Sequence, residues 1–290
     1  MEKLIDMHVH TNYSDGEDDP SKLIYKAHLF DIGTIAITDH DTLRGIQSVQ
    51  KEKGFFERIG IEVFDGIELS AKRDFGRMHI LGYGFDINDE NLNAKMSELR
   101  DNSVNSVLAI YDQIRRDYGI RFTYEDLKEL INANHNLGRP DLAKLCMKYG
   151  FADSVQDAFD KYLIEAHQKT RQSNKGLYYE ECLDLISKSG GIPVLAHPKS
   201  LELSNEEFEK LLKDMIKCGL QGIEVYHSSH SKEEMEYYLS IANKYNLLVS
   251  GGSDYHGKGV KPDIKLGTGD HNNIRIRSLS LVDELRRRKK

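Results

Sequence analysis

Seven short runs rich in Ile, Val and Leu, each containing or closed by a histidine or a carboxylate, constrain this 290-residue chain more than any other feature. They occupy residues 3–10, 34–40, 61–70, 78–85, 192–197, 222–227 and 247–254. Runs of this length with little polar alternation read as strands buried on both faces, the condition of a parallel sheet or barrel covered by helices. Helical patterns stand between most of them, at 20–30, 42–57, 179–188, 205–217 and 232–245. Ser204 with Glu207, and Ser231 with Glu234, have the spacing of a capping box. Gly190 and Gly219 stand where two of these helices should stop.

The rhythm breaks between residues 88 and 177, where strands disappear and the chain turns polar and helical. Residues 91–118 read as one long amphipathic helix with Leu99, Val107, Ile110 and Ile114 among its apolar positions. Thr123 with Asp126 resembles a cap for a helix over 124–132, and further helices are expected over 141–149 and 154–164. The expected organisation is a barrel domain made of residues 1–87 and 178–290, with a helical insertion at 88–177 forming a lid or one wall of a substrate pocket. The basic C-terminus, Arg286 to Lys290, reads as a solvated helix end that suits the helix dipole.

Composition narrows the partners. With 47 acids against 40 bases and a formal charge of −7, the chain is a poor candidate for stable duplex nucleic-acid binding, which rests on cations neutralising phosphates. A small phosphorylated substrate held by local cations or metals is compatible with it. Cys146, Cys182 and Cys218 are odd in number, widely spaced and in no CxxC pair, as expected of reduced thiols in a cytoplasmic protein. No stretch approaches the roughly 18 apolar residues of a membrane span, so no membrane association is expected.

The chemistry lies at the strand ends. His8 and His10 alternate along a strand and so point to one face. His40 closes the second run, Glu68 lies near the end of the third, His79 is in the fourth, His197 and His227 close the fifth and sixth, and Asp254 with His256 ends the seventh. In a barrel, the C-terminal strand ends form the active face. Imidazole and carboxylate together suit Zn²⁺, Mn²⁺ or Fe²⁺, and the donors exceed the needs of one ion. Taken singly, a strand histidine is more often a hydrogen-bonded core residue than a ligand. Taken together, so many buried titratable groups are costly without compensation. His28, His135, His167, His230 and His271 lack this context and read as surface or packing residues.

With these segments in view the chain resembles the PHP (polymerase and histidinol phosphatase) family. The carriers are His8-Val9-His10-Thr11-Asn12-Tyr13-Ser14-Asp15-Gly16, Thr38-Asp39-His40-Asp41-Thr42, Gly66-Ile67-Glu68-Leu69-Ser70 and His79-Ile80-Leu81-Gly82-Tyr83. Leu195-Ala196-His197-Pro198, Gly222-Ile223-Glu224-Val225-Tyr226-His227 and Gly251-Gly252-Ser253-Asp254-Tyr255-His256-Gly257 complete the set. The order, with a helical insert before the fifth run, is similar to the small stand-alone phosphoesterases of the TrpH/YciV type. The resemblance implies an α/β fold, a distorted (β/α)7 barrel of the PHP type with a helical insertion, around two to three divalent ions (Mn²⁺, Fe²⁺ or Zn²⁺). It implies His8, His10, Glu68 and Asp254 for one ion, Asp15, His40 and His256 for a second, and Glu68 bridging to a third held by His79 and His197. Arg139, in Gly138-Arg139-Pro140, matches the family's phosphate-binding arginine, and His227 its partner.

The activity so implied is hydrolysis of phosphomonoesters of nucleotides, 3′,5′-bisphosphonucleotides or short oligonucleotides, by metal-activated hydroxide. Arg139 and His227 would neutralise developing charge, and His227 could protonate the leaving alkoxide. The alternatives are a histidinol-phosphate or other small-molecule phosphatase, and a non-catalytic metal-binding scaffold. Two departures from the pattern fall in the insertion: Asp141 where the family often has His, and 164–169 in place of a Gly/Pro-rich stretch.

Overall fold

The computed structural model describes residues 2–73, 76–133, 135–170 and 176–289, and the chain divides into two compact units. One contains Met1–Ala94 and Gly176–Lys290, the other Lys95–Lys175.

The first unit is built on a seven-stranded sheet in sequential order: β1 (Leu4–Val9), β2 (Ile32–Ile37), β3 (Glu62–Ala71), β4 (Met78–Tyr83), β5 (Ile192–Leu195), β6 (Gly222–His227) and β7 (Leu248–Gly252). At the ends of β1 and β7 the two edges meet: Asp254 N–H donates to the His8 carbonyl (2.8 Å) and His10 N–H to the Tyr255 carbonyl (2.9 Å). The sheet is thereby nearly closed into a barrel, the (β/α)7 form that the resemblance implies. All six β1 residues are buried, Asp6 and His8 included, as a strand covered on both faces requires.

The fourth strand departs from an all-parallel reading. β4 pairs antiparallel with both β3 and β5, with Ser70 opposite His79 and Ile80 opposite Leu195. A parallel return needs a crossover of about a dozen residues or more. Only residues 72–77 separate β3 from β4, so the chain reverses directly. The reversal puts the start of β4, and with it His79, on the same rim as the ends of β3 and β5.

Helices α1 (Pro20–Leu29), α2 (Arg44–Ser48) and α3 (Lys53–Arg58) follow the first strands. The single helix expected over 42–57 is therefore broken, at buried Val49, where ψ of 2° leaves the helical region. A core cluster joins Leu23 and Ile24 of α1, Ile46 and Phe56 to Val9, Ile35 and Ile37.

The second unit holds most of α4 (Glu90–Tyr118), whose first turn belongs to the barrel unit, and then α5 (Tyr124–Ile131), α6 (Arg139–Lys148), α7 (Val155–Ala158) and α8 (Ile164–Thr170). Thr123 caps α5 by accepting from the Asp126 N–H. A π-helical turn over Phe159–Leu163 joins α7 to α8, where one helix over 154–164 was expected. This unit has its own core, including Val107, Ile110, Ile114, Leu142, Cys146 and Leu163.

Back in the barrel unit, α9 (Tyr179–Lys188), α10 (Asn205–Lys217) and α11 (Lys232–Tyr245) have the expected bounds, and both serine capping boxes form. Gly190 and Gly219 take positive φ at helix ends, as a left-handed terminus requires. β8 (Ile264–Lys265) and β9 (Gly269–Asp270) make a small hairpin before α12 (Ser280–Arg288). Leu281, Val282 and Leu285 of α12 pack with Met7, Phe64, Leu81, Tyr83 and Val194. Its basic end is paired: Arg287 and Arg288 bind Glu284 at 2.7 and 2.9 Å, and Arg286 binds Glu62 at 2.9 Å.

Candidate metal centre

Glu68, near the end of β3 and 1% exposed, organises the site. Its Oε2 faces His8 Nε2 (3.1 Å), His10 Nε2 (3.1 Å) and His40 Nδ1 (3.3 Å). Its Oε1 faces His79 Nδ1 (2.9 Å) and His197 Nε2 (2.8 Å), and those two nitrogens are 3.3 Å apart. One carboxylate thus serves two groups of imidazoles, one on each oxygen. Asp254 Oδ1 lies 3.6 Å from His8 Nε2 and 3.3 Å from His10 Nε2. Asp15 Oδ1 lies 3.2 Å from His256 Nε2 and 3.5 Å from His10 Nδ1, and its Oδ2 lies 3.9 Å from His40 Nε2. The donors His10, Asp15, His40 and His256 converge within 4.8 Å of one another, as do His8, His10 and Glu68, and His40, Glu68 and His79. Asp15 is the outermost, with its side chain 55% exposed.

The backbone is held where these side chains need it. Asp254 and His197 both have positive φ (56° and 20°), which turns them off the ends of their strands. Gly252, at the end of β7, lies against β1: a Cβ there would meet the His8 nitrogen at 2.3 Å. Buried Asp39 accepts from Thr11 N–H (2.7 Å), Thr11 Oγ1 (2.7 Å) and Ser14 Oγ (2.6 Å), tying the Asp15 loop to the end of β2. Buried Asp6 does the same for the last strand, accepting from Ser253 N–H (2.8 Å), Ser253 Oγ (2.6 Å) and Gly267 N–H (2.7 Å).

Hydrogen bonding sorts the histidines into two kinds. His8 Nδ1 faces Glu224 Oε1 (2.9 Å), an obligate acceptor that fixes a proton on Nδ1, and its Nε2 is directed to Glu68 Oε2 (3.1 Å); burial disfavours a charged ring, but Glu224, Glu68 and Asp254 raise it well above the usual histidine range. His256 Nδ1 faces the Asp254 carbonyl (2.8 Å), which likewise fixes a proton on Nδ1. Ser200 donates its hydroxyl to the Arg77 carbonyl, so it accepts from His197 Nδ1 (2.8 Å) and leaves the Nε2 lone pair toward Glu68. His227 is the reverse case. Its Nδ1 accepts from the Ser229 N–H (3.1 Å), so the proton is on Nε2, 3.4 Å from Asp254 Oδ2. His227 is thus fixed through Nδ1 with an Nε2–H, whereas His8, His197 and His256 are fixed through Nδ1 with Nε2 directed to Glu68 or Asp15.

Two features fit divalent cations at this place. Buried His40 Nδ1 has no hydrogen-bond partner, although Glu68 is beside it. His8 Nε2 and His10 Nε2 approach to 3.1 Å, both turned to the same carboxylate oxygen, so three donor atoms gather at one point. None of the three cysteines is in these groups, so the donors are imidazole and carboxylate alone. The electrostatics agree. Burial opposes ionisation of Glu68 and Asp254, yet the imidazoles around them hold both well below the usual carboxylate range. Burial pushes His40 down to about 3, which keeps it neutral and able to donate a lone pair. Burial also disfavours a charged His10, but hydrogen bonds to Asp254 and Glu68 raise it to about 10. A proton on that ring occupies a place a metal cation would compete for.

Some functional side chains escaped sequence reasoning. Glu224 is fully buried, with Oε2 accepting from the His197 N–H (2.8 Å) while Oε1 takes His8. Its signal was an acid inside an apolar strand, Ile223-Glu224-Val225, which needs a buried partner. Lys261, 2.6 Å from Asp254 Oδ2, carried no signal. His230 is a packing residue, one of the two roles read for it, and lies buried against His227 with ring centroids 5.2 Å apart. Arg139 belongs to the helical unit, where its guanidinium lies over the Phe159 ring at 5.4 Å. Asp141 there accepts from the Gly138 N–H (2.9 Å) and faces His135 Nε2 (3.0 Å), so this departure from the family pattern caps α6.

A nearly closed barrel whose rim gathers imidazoles and carboxylates around a bridging glutamate defines a metal-binding α/β class. The chain belongs to the PHP domain family, which matches residues 6–217. It is 30% identical to the phosphoribosyl 1,2-cyclic phosphate 1,2-diphosphodiesterase of Eggerthella lenta, over 87% of this chain and 94% of that one. It is 27% identical to the 3′,5′-nucleoside bisphosphate phosphatase of Chromobacterium violaceum (88% of each chain). It is 26% identical to a 5′-3′ exoribonuclease of Haemophilus influenzae (88% of this chain, 91% of that one). A solved structure from Bifidobacterium adolescentis, provisionally described as a metal-dependent phosphoesterase, superposes with a TM-score of 0.76 at 29% identity, covering 98% of this chain and 96% of that one.

Proposed function

We propose that the protein is a metal-dependent phosphoesterase that hydrolyses phosphate esters of nucleotides, with 3′,5′-bisphosphonucleotides or short oligonucleotides as substrates. The observation that carries this reading is Glu68, one buried carboxylate with a separate set of imidazoles on each oxygen. Three relatives of this chain are named for phosphate esters of nucleosides, ribose or RNA, and that shared chemistry supports the substrate class.

Two to three divalent ions fit the donors, with His8, His10, Glu68 and Asp254 in one set, Asp15, His40 and His256 in another, and His79 with His197 sharing Glu68 in the third. Mn²⁺ or Fe²⁺ suits the oxygen of Asp15, and Zn²⁺ suits the imidazoles. Such ions supply positive charge to phosphoryl oxygens and acidify water at neutral pH. The chain itself does the rest. Glu224 and Ser200 hold the ring orientations of His8 and His197, so that the site is preorganised. His227 directs its Nε2–H to the Asp254 side, where it can hydrogen-bond a phosphoryl oxygen or give its proton to the leaving alkoxide. Arg139 offers a planar fork suited to a second phosphate. No nucleophilic side chain is required.

The test is a phosphate-release screen with Mn²⁺-loaded protein over bisphosphonucleotides, mononucleotides, short oligonucleotides, cyclic ribose phosphates and histidinol phosphate. Preferential turnover of bisphosphonucleotides or oligonucleotides is expected. Preference for histidinol phosphate overturns the substrate class, and no turnover of any ester overturns the activity.

A further inference from the structure

Asp254 has two distinct sides. Its Oδ1 faces the ring of histidines, at 3.3 Å from His10, 3.5 Å from His256 and 3.6 Å from His8. Its Oδ2 accepts from the Lys261 ammonium at 2.6 Å and lies 3.4 Å from His227 Nε2, a buried atom with no hydrogen-bond partner. The two groups come from different elements, the end of β6 and the loop after β7, and lie beside one oxygen. Lys261 is the more exposed partner, with its side chain 37% accessible against 14% for Asp254, so the ammonium lies on the solvent side of the carboxylate.

The loop is built to bring it there. The Lys261 N–H donates to the Gly257 carbonyl (2.9 Å), and Gly257 has a φ of 100°, which an L side chain rarely adopts. Glu17, on the loop that carries Asp15, accepts from the Gly259 N–H (2.5 Å) and fixes the loop from the other side. A Cβ on Gly257 would collide with Glu17 at 2.6 Å, so the close approach requires glycine.

We propose that Lys261 is a phosphate-binding residue of this site, forming with His227 a two-donor clamp for a phosphoryl group of the substrate. The proposal rests on the phosphoesterase reading above. The Lys261 ammonium is held at this oxygen and the buried His227 Nε2 beside it is unpartnered, so a phosphate edge arriving there would meet both. Neutralisation of Asp254 in the metal-loaded site weakens its hold on the ammonium. The flexible four-carbon stem then lets the ammonium turn to an incoming dianion. A lysine serving only as a counter-ion to Asp254 would instead support the ligand and, with it, metal retention.

The experiment compares wild type with K261Q and K261R, each full-length and loaded with Mn²⁺. Bound metal per chain is measured first, and then the affinity for inorganic phosphate by calorimetry. Loss of one charge-assisted hydrogen bond should weaken phosphate binding in K261Q by about 10- to 100-fold. Metal content should be unchanged, and K261R should recover most of the affinity. A fall in bound metal in K261Q overturns the proposal, since Lys261 then supports the ligand. Unchanged phosphate affinity also overturns it. Wild-type protein that binds phosphate through Lys261 yet hydrolyses no ester refutes the activity alone, whereas wild type that binds no phosphate refutes both.

Discussion

Replacing Glu224 by Gln should loosen the metal centre without touching any of the nine proposed ligands. The two oxygens of Glu224 are both spoken for, Oε1 by His8 Nδ1–H at 2.9 Å and Oε2 by the His197 N–H at 2.8 Å. An amide has one acceptor oxygen and one NH₂. Whichever way it is turned, the NH₂ faces an N–H at less than 3 Å, and one buried donor loses its acceptor. Leaving such a group unsatisfied costs about 1–3 kcal/mol, more where the acceptor was charged. The loss falls on the orientation of His8 or of the segment that starts at His197, so part of it appears as weaker metal binding. Carboxylates behind metal-binding histidines typically contribute about 10- to 100-fold in affinity, which equals roughly 1.4–2.7 kcal/mol. The two estimates overlap. The assay is a chelator competition titration of Mn²⁺ on E224Q and wild type, with thermal unfolding of both metal-free proteins alongside. An affinity within about threefold of wild type would refute the reasoning, and so would a loss of metal-free stability with metal affinity unchanged, since Glu224 would then act only on folding.

Other expectations address the frame and the helical unit. Gly252→Ala pushes a Cβ against the His8 nitrogen and Asp6 Oδ1, at 2.3 and 2.8 Å in the present geometry, so it should part β7 from β1 and abolish metal binding together with turnover; a fully metal-loaded G252A protein would count against it. Leu142→Ala opens a cavity in the core of the helical unit, where Leu142 is fully buried, and should cost about 2–5 kcal/mol, read as faster hydrogen exchange in α4 and α6 with the barrel strands unaffected. Asp126 is held down to about 2 by hydrogen bonds from Lys148, Tyr149 and Thr123. Its folded value lies below its unfolded one, so its contribution is complete above about pH 4 and is lost as pH falls toward 2. Asp126→Asn should accordingly destabilise the helical unit at pH 7 and have little further effect near pH 2, as followed by hydrogen exchange or circular dichroism.

Much of the barrel was legible because burial on both faces leaves a strand little choice of residue. All seven strands fall within or close to the apolar runs, and α9, α10 and α11 match residue for residue, the last two with serine caps marking their starts. What failed was direction and continuity. Apolar runs carry no sign of which way a strand points, and the antiparallel β4 follows only from the short connection before it. The break at Val49 and the π turn at Phe159 reflect tertiary packing that overrides a locally acceptable helix. In the site, histidines spaced by two were legible because alternation puts them on one face. Lys261 was not, since a lysine in a Gly/Pro loop is an ordinary surface residue until the loop's path is known.

The reversal of β4 has a functional consequence. His8, His40, His197 and Asp254 reach the rim from the C-terminal ends of strands or just beyond them, as in a regular barrel. His79 reaches it from an N-terminal end, opposite Ser70, only because the chain turns straight back after β3. The short connection therefore puts two donors on adjacent strands within 2.9 Å, with Glu68 near the end of one and His79 at the start of the next. A helical crossover at that point would have left His79 at the opposite end of the barrel. The shared carboxylate would then have kept His8, His10 and His40 on one oxygen but lost half of the pair on the other. The distortion of the barrel and the placing of His79 beside Glu68 thus have one cause, the brevity of residues 72–77.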